Sequence, residues 1–248
     1  MGKTSLLSRK NINVRERLIF ALDFPSHGDA LAMVEKLDDA VIFYKLGLEL
    51  FMAGDYFSLV DALIKKGKKV FVDLKFFDIP KTVGSAVRQL QDKGAAFATV
   101  HGNDNILQAA VAEKGSDLKI LAVTVLTSLN RGDLDDLGFD CDVDRLVLSR
   151  AKRALQIGCD GVISSGREAK ALRNDLGDKL LVIVPGIRPV DNDEIPFPDD
   201  QKRSVTVGEA FLNGADYIVV GRPIKHSPDP RTATLEIQNT ISKIFIPT

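Results

Sequence analysis

Apolar positions along this chain follow two alternating patterns. Short runs rich in β-branched residues alternate with longer segments in which apolar residues recur every three or four positions. The first pattern is typical of strands covered on both faces, and the second is typical of amphipathic helices. Several helical segments stop at a glycine, among them Gly67, Gly94 and Gly158, and glycine suits the left-handed position that ends many helices. The predicted strands cover residues 18–23, 40–45, 69–75, 97–101, 120–124, 161–164, 180–185 and 216–221.

This alternation predicts the architecture. About eight strand–helix units in 248 residues fit an α/β fold of the (β/α)8 TIM-barrel type, which typically takes about 250 residues. An open doubly wound sheet is the alternative, although the dinucleotide-binding glycine pattern does not follow the first predicted strand. No linker interrupts the alternation, so we expect one barrel domain at 16–248 after a polar, loosely held extension at 1–15. Residues 188–203, rich in proline and acids, are expected to form a long polar loop of the kind that often binds ligands.

Composition narrows the class of protein. Lys and Arg number 33 against 34 Asp and Glu, a net charge of −1, which argues against a protein whose main work is to coat nucleic acid. No apolar run approaches the roughly 18 residues of a membrane helix. Two cysteines cannot build a disulfide framework, so we expect a reduced, cytoplasmic protein, with a single bridge between Cys141 and Cys159 as the alternative. The histidines lie on separate segments without metal-ligand spacing, and we expect no metal site.

Polar residues recur where the predicted strands end. Because the active sites of TIM barrels lie at the C-terminal ends of the strands, these residues are the candidates for chemistry. Any one of them has an ordinary structural explanation, since strands end in polar residues wherever they meet water. Their recurrence on strand after strand favours a site. They are Asp23, Lys45, Asp73 with Lys75, His101, Thr124 with Thr127, Ser164 with Ser165, Gly186 with Arg188, and Gly221 with Arg222.

The third predicted strand carries the densest group of charges. Asp73 and Lys75 are two residues apart, so on a regular strand they point to the same side. Lys45 and Asp23 have the inward parity of their own strands, which gives an alternating set of two carboxylates and two ammonium groups. Opposite charges in such a set favour the charged form of each group. A purely structural ion-pair network is the alternative explanation.

A longer motif around this strand matches a known family. Asp-x-Lys-x-x-Asp-Ile-Pro-x-Thr occupies residues 73–82, and Ala-Leu-Asp-Phe, Tyr-Lys-Leu-Gly and Thr-Val-Leu-Thr-Ser occur at the first, second and fifth predicted strands. Pro-Gly-Ile-Arg-Pro follows at 185–189, and Val-Gly-Arg-Pro-Ile follows at 220–224. In this order, from residue 21 to about residue 230, the motifs resemble the orotidine 5′-monophosphate decarboxylase family.

The resemblance implies decarboxylation of orotidine 5′-monophosphate (OMP) to uridine 5′-monophosphate (UMP), the last step of de novo pyrimidine synthesis, without metal or organic cofactor. It implies that Lys75 protonates C6 of the pyrimidine and that Asp73 sits beside the substrate carboxylate. Lys45 and Asp78 would complete the charge array. The resemblance implies that Asp23 and Lys45 bind the ribose and that Thr127 contacts the pyrimidine. It implies that Gln201, Gly221 and Arg222 bind the phosphate, with Arg188 nearby.

The resemblance also implies a homodimer in which Asp78 and Thr82 reach into the site of the partner. The periodicity itself does not show this. The alternative is that Asp78 caps or pre-organises the helix opened by Pro80 within its own chain. His101 has no counterpart in this set of roles, and we expect it to be structural.

Two other functions fit parts of the pattern. Barrels that process sugar phosphates with Mg²⁺, similar to 3-keto-L-gulonate 6-phosphate decarboxylase and hexulose-phosphate synthase, share Asp-x-Lys-x-x-Asp but carry an acid where this chain has Lys45. A non-catalytic phosphate-binding barrel would need only Gly221 and Arg222. Lys45 argues against the first function, and the four-charge array would have no purpose in the second.

Overall fold

The computed structural model describes residues 6–188 and 204–246 and shows a closed barrel of eight parallel strands. Each strand pairs with the next one along the chain, and the last strand pairs with the first. The predicted (β/α)8 fold is confirmed. The strands are β1 (Leu18–Ala21), β2 (Phe43–Leu46), β3 (Lys69–Phe76), β4 (Phe97–Val100), β5 (Lys119–Val123), β6 (Gly161–Ile163), β7 (Leu181–Val184) and β8 (Tyr217–Val220).

Helices cover the outside of the barrel. The described helices are α1 (His27–Leu37), α2 (Leu48–Met52), α3 (Tyr56–Lys65), α4 (Pro80–Gln91), α5 (Asp104–Ala112), α6 (Arg131–Asp136), α7 (Val143–Ile157), α8 (Ala169–Leu176), α9 (Val207–Leu212), α10 (Arg222–Lys225) and α11 (Pro230–Phe245). Asn103 caps α5 by accepting a hydrogen bond from the Ile106 amide, and Gly158 ends α7 with φ 96°. In the described ranges, no helix is long and apolar enough to cross a membrane.

The predicted strands agree with the observed ones to within one or two residues, with one exception. The second was predicted to begin at residue 40, but Asp38–Ala40 form a 3₁₀ turn and β2 begins at Phe43. Ala40 and Val41 are both buried. An apolar run therefore does not distinguish the strand from the buried turn that leads into it, and this boundary was wrong.

A layer of aromatic rings fills the interior of the barrel. The ring centroid of Phe97 lies 5.0 Å from that of Phe43, 5.2 Å from that of Tyr217 and 5.9 Å from that of Phe71. All of these side chains are buried. Because interior side chains make the barrel a packed core and not a pore, this layer forms a floor beneath the C-terminal ends of the strands.

The N-terminal end of the barrel binds the beginning of the described chain. Ser8 and Lys10 both hydrogen-bond to the carboxylate of Asp216, with Lys10 Nζ 3.0 Å from Asp216 Oδ2. Arg173 donates to the same carboxylate, which is fully buried. The expectation of a loosely held extension is therefore wrong for Ser8 and Lys10, because their polar groups are partners of a buried charge.

Candidate active site

A cavity of about 310 Å³ opens at the C-terminal ends of the strands. Phe71 of the aromatic layer contributes to its lining. Its polar side chains follow buried strands, so the barrel fixes where each one enters the cavity. The cavity brings together these residues from the predicted set: Asp23, Lys45, Asp73, Lys75, Thr127, Arg188, Gly221 and Arg222.

Asp23, Lys45, Asp73 and Lys75 form a continuous chain of ion pairs across the ends of β1, β2 and β3. Lys45 Nζ lies 3.2 Å from Asp23 Oδ1 and 3.4 Å from Asp73 Oδ2. Lys75 Nζ lies 2.9 Å from Asp73 Oδ1. The charges alternate in sign along this chain, so each inner group lies between two groups of the opposite charge.

Burial and neighbouring charges have opposite effects on the pKa values of Lys45 and Asp73, the inner members of this array of four charges. Burial would lower the pKa of Lys45, but attraction to Asp73 and Asp23 outweighs it, and the pKa is raised. Burial would raise the pKa of Asp73, but the charges of Lys45 and Lys75 and hydrogen bonds from Lys75 and Thr99 outweigh it, and the pKa is lowered. Both groups are therefore charged at neutral pH and give the cavity a fixed electrostatic field.

The backbone at Lys75 departs from a regular strand. Lys75 has φ 48°, a left-handed conformation that costs a residue other than glycine about 1–2 kcal/mol. Between Val72 and Phe76 the register of β3 against β4 shifts, which marks a bulge. Asp73 and Lys75 do meet in the cavity, but the bulge brings them there, and simple alternation along a regular strand was the wrong reason to expect it.

Arg188 and Arg222 enter the cavity from the side formed after β7 and β8. The Arg188 side chain is buried. Gly221 precedes α10, and a Cβ at this position would lie only 3.2 Å from the Ala21 Cβ. Glycine therefore lets the ends of β8 and β1 approach each other at the edge of the cavity that Gly221 lines.

The predicted loop at 188–203 lies outside the described residues except for Arg188, and so does Gln201. The chain leaves and re-enters the described part at neighbouring points. Ile187 and Val205 form a parallel bridge, and the Arg188 amide donates to the Val205 carbonyl at 2.9 Å. The described residues Ile187 and Val205 are thus held together, and Ile187 lines the cavity.

Asp78 and Thr82 do not line this cavity in the described chain. Both are exposed. Asp78 Oδ1 accepts a hydrogen bond from the next amide, that of Ile79, at 2.6 Å, and Ile79 is the residue at the N-cap of α4. A single chain therefore leaves these two predicted residues apart from the array.

Lys225 and Gly47 also shape the array, and neither was singled out from the sequence. Lys225 donates a hydrogen bond to the backbone carbonyl of Asp23, and its ammonium lies 4.3 Å from the ring centroid of Phe24. A Cβ at Gly47 would lie 3.1 Å from Asp23 Oδ1 and 3.2 Å from Lys45 Nζ, so glycine leaves room for that pair. The glycine just after the second predicted strand was a usable signal, whereas nothing local to Lys225 points to β1.

His101 and the acidic side chains do not combine into a metal site in the described part of the chain. His101 lines a second cavity, where its ring packs against Phe77 with centroids 5.4 Å apart. Burial, followed by the positive charges of Arg150 and Lys75, lowers its pKa, so the imidazole is neutral at pH 7. No group of three or more His, Cys, Asp and Glu among the described residues is placed to hold a metal ion.

Comparison with known proteins agrees with the geometry. The family model described as "Orotidine 5′-phosphate decarboxylase / HUMPS family" matches residues 16–237. Proteins named orotidine 5′-phosphate decarboxylase from Methylococcus capsulatus and Xanthomonas euvesicatoria pv. vesicatoria are 61% and 49% identical over 241 and 227 residues, respectively. These alignments cover 97% and 91% of this chain and 98% and 92% of the two relatives.

A solved structure gives the same result at the level of the fold. The crystal structure of orotidine 5′-phosphate decarboxylase from Lactobacillus acidophilus matches with a TM-score of 0.79 and 34% sequence identity. The match covers 91% of this chain and 99% of that one. Sequence, motif order and fold together show that the chain belongs to the orotidine 5′-phosphate decarboxylase / HUMPS family.

Proposed function

We propose that this chain decarboxylates OMP to UMP and CO₂, the last step of de novo pyrimidine synthesis, without metal or organic cofactor. The observation that carries the proposal is the array of Asp23, Lys45, Asp73 and Lys75 at one cavity, in a chain whose relatives bear the name of this enzyme. The two cysteines are free, which fits a reduced, cytoplasmic setting.

The chemistry needs a cation at one carbon atom. Loss of CO₂ breaks the bond between C6 of the pyrimidine and the carboxylate carbon and leaves the electron pair on C6. No π system delocalises that pair, so a fixed positive charge is the main stabiliser available. We assign this charge to Lys75 Nζ, which then gives a proton to C6 and completes UMP.

Asp73 and Lys45 prepare Lys75 for this step. Asp73 is bound on one side by Lys75 and on the other by Lys45, so its carboxylate stays charged next to the position of the substrate carboxylate. The same carboxylate accepts a hydrogen bond from Lys75 Nζ at 2.9 Å, which holds the ammonium beside it before the reaction. Lys45 in turn keeps Asp73 ionised, as its effect on the pKa of that carboxyl group indicates.

Other contacts are assigned to the ribose, the pyrimidine ring and the phosphate of the substrate. Arginine offers phosphate a planar, charged fork of donors, and the two arginines lie on one side of the cavity. Binding energy from a phosphate remote from C6 can be used to hold the pyrimidine against the array. We assign ribose to Asp23 and Lys45, the pyrimidine to Thr127, and the phosphate to Gly221, Arg222, Arg188 and Gln201.

We further propose that the working unit is a homodimer and that Asp78 and Thr82 act in the site of the partner. Their exposure and their distance from the cavity of their own chain support this. Phe77 and Ile79, which flank Asp78, are 68% and 65% exposed. Large apolar side chains beside a site residue suit burial by a second copy across a two-fold axis.

Subunit mixing tests the shared site. Lys75→Ala chains are mixed with Asp78→Ala chains and the dimers are allowed to exchange. If Asp78 acts in the partner, each mixed dimer has one site that lacks both groups and one that is intact, so activity returns. If Asp78 acts in its own chain, every site stays defective and mixing restores nothing, even with mixed dimers shown to be present.

Turnover of OMP with and without EDTA tests the proposed activity. We expect release of CO₂ and UMP at the same rate in both conditions, because Lys45 occupies the position where the Mg²⁺-dependent sugar-phosphate barrels carry an acid. A strict requirement for Mg²⁺, or turnover of a sugar phosphate alone, would place the chain in the other branch of its family. Binding of UMP without turnover would indicate the non-catalytic barrel.

A further inference from the structure

The Thr99 hydroxyl lies where the bulge of β3 meets β4. Thr99 is in β4 and is 0% exposed. Its Oγ1 accepts a hydrogen bond from the Lys75 amide at 3.0 Å and donates one to Asp73 Oδ1 at 2.8 Å. A single buried hydroxyl therefore binds both residues to which the proposed function gives the reacting charges.

The hydroxyl takes the place of a bond that a regular ladder would supply. Val72 pairs with Ala98 and Phe76 with Val100, so the four steps from Val72 to Phe76 face only the two steps from Ala98 to Val100. In such a bulge the extra residues lose their ladder partners. The Lys75 amide is one of these groups, and it finds the Thr99 side chain instead.

This bond bears on a strained residue. Lys75 has φ 48°, and a residue other than glycine keeps this left-handed conformation only where its surroundings hold it there. At the same time Asp73 Oδ1 receives both Thr99 Oγ1 and Lys75 Nζ, at 2.8 and 2.9 Å, while Oδ2 faces Lys45. Loss of the hydroxyl would remove one contact from the backbone of Lys75 and one from the Asp73 carboxylate at the same time.

We propose that Thr99 is a positioning residue, which sets the direction of the Lys75 ammonium by holding the left-handed bulge and the Asp73 carboxylate in one geometry. This inference rests on the proposed function, because it takes Lys75 as the group that acts on C6. Thr99 itself does not line the cavity, so we assign it no direct contact with the substrate.

The test compares Thr99→Val and Thr99→Ala, which lack the hydroxyl, with Thr99→Ser, which keeps it. Thr234→Val is the matched control, because Thr234 is also 0% exposed and donates at 2.8 Å to the Pro230 carbonyl, but within α11 on the outside of the barrel. For each variant, kcat and KM for OMP, the Kd of UMP and the melting temperature are measured.

We expect Thr99→Val and Thr99→Ala to lower kcat by about 10- to 100-fold, with KM and the Kd of UMP within about 3-fold of wild type. Thr99→Ser should recover most of kcat. Thr234→Val should lower the melting temperature and leave kcat unchanged. This pattern separates positioning from stability, since a merely structural hydroxyl would affect melting at both positions and kcat at neither.

Three results would overturn the role of Thr99. They are an unchanged kcat in a folded Thr99→Val or Thr99→Ala variant, a Thr99→Ser variant as slow as Thr99→Val, and an equal fall of kcat in Thr234→Val. A wild-type chain that does not turn over OMP would instead overturn the proposed function. An active wild type with unaffected Thr99 variants rejects the positioning role and leaves the proposed function standing.

Discussion

A cluster of carboxylates and cations lies at each end of the barrel. The two clusters differ in how many of their charged groups are exposed. At the N-terminal end, Asp216 and Arg173 are 0% and 3% exposed, and the carboxylate also accepts hydrogen bonds from Ser8, Lys10 and the Val182 amide. Every one of these contacts is between parts of the chain itself. This cluster joins the first described residues to β7 and β8 and has the properties of a structural clamp.

At the C-terminal end, the ion pairs form an open chain. Its inner members, Lys45 and Asp73, are 11% and 12% exposed, whereas its ends, Asp23 and Lys75, are 48% and 35% exposed. The ends face a cavity, and the backbone at Lys75 is in a left-handed conformation. Around Asp216 the charges pair with one another inside the protein, and they stabilise the fold. At the C-terminal end the outer charges, Asp23 and Lys75, face a cavity, where they can act on a ligand.

The largest expected effect is the loss of activity in Lys75→Ala. Without the cation and the proton donor, we expect kcat to fall by about 10⁴-fold or more, while UMP still binds. Lys69→Ala is the matched control, because Lys69 lies at the other end of β3 and pairs with Glu16 at 2.6 Å. Near wild-type kcat in Lys75→Ala, or an equal loss of kcat in Lys69→Ala, would contradict the claim that only the C-terminal end of the barrel takes part in the reaction.

Asp216→Ala should have the opposite profile. It leaves Arg173 and Lys10 without their buried partner, and we expect the free energy of unfolding to fall by about 3–5 kcal/mol while kcat of the folded protein is kept. Urea denaturation measures the first quantity. Asp178→Ala is the control, since that carboxylate is 55% exposed and 3.9 Å from Lys10, and its removal should change stability by about 0.5 kcal/mol or less. A selective loss of kcat in Asp216→Ala would contradict the clamp.

Arg222→Ala tests the part of the cavity that follows β8. Loss of a charge-assisted contact should reduce kcat/KM for OMP by about 10- to 150-fold, equivalent to about 1.5–3 kcal/mol. The effect should appear mainly in KM. Orotidine, which has no phosphate, provides the control: it should be turned over equally by both proteins. A matching loss with orotidine would show that Arg222 acts on the pyrimidine or the ribose.

The smallest expected effect is in the pH dependence of stability. The pKa of Lys45 is raised above 10.5, so its stabilisation is complete below that pH and is lost as the pH rises through the folded-state value. Burial lowers the pKa of Lys10 below 10.5 despite attraction to Asp216, so its contribution to stability rises with pH between the folded-state value and 10.5. Unfolding titrations of Lys45→Met and Lys10→Met should therefore differ from wild type with opposite slopes. If both variants differed from wild type with the same slope of stability against pH, the predicted difference between Lys45 and Lys10 would be rejected.

Much of this architecture could be predicted from the sequence, because buried parallel strands are read directly from apolar runs. The end of each strand then located Asp23, Lys45 and Arg222 in the cavity. The start of β2 was missed, since Ala40 is buried in a turn as it would be in a strand. Ser8 is a similar case, because composition does not reveal that its hydroxyl meets Asp216 across more than two hundred residues of sequence.

The fine geometry of the array could not be predicted. Alternation assumes a regular strand, and it gives no sign that Lys75 takes a left-handed conformation. The Thr99 hydroxyl is visible only once β4 lies beside the bulge, since the two residues are 24 positions apart. Asp78 and Thr82 also stay predictions, because one chain alone does not place them in a site.

The central claim is that Lys75 Nζ exchanges a proton with C6 of the pyrimidine. The same step in reverse should let the protein remove the C6 proton of UMP, so incubation of UMP in D₂O tests the claim most directly. We predict deuterium at C6, detected by NMR, at a rate well above that in buffer, and none above buffer with Lys75→Ala. Equal exchange in the variant, or no exchange in a wild type that turns over OMP, would contradict the assignment of Lys75.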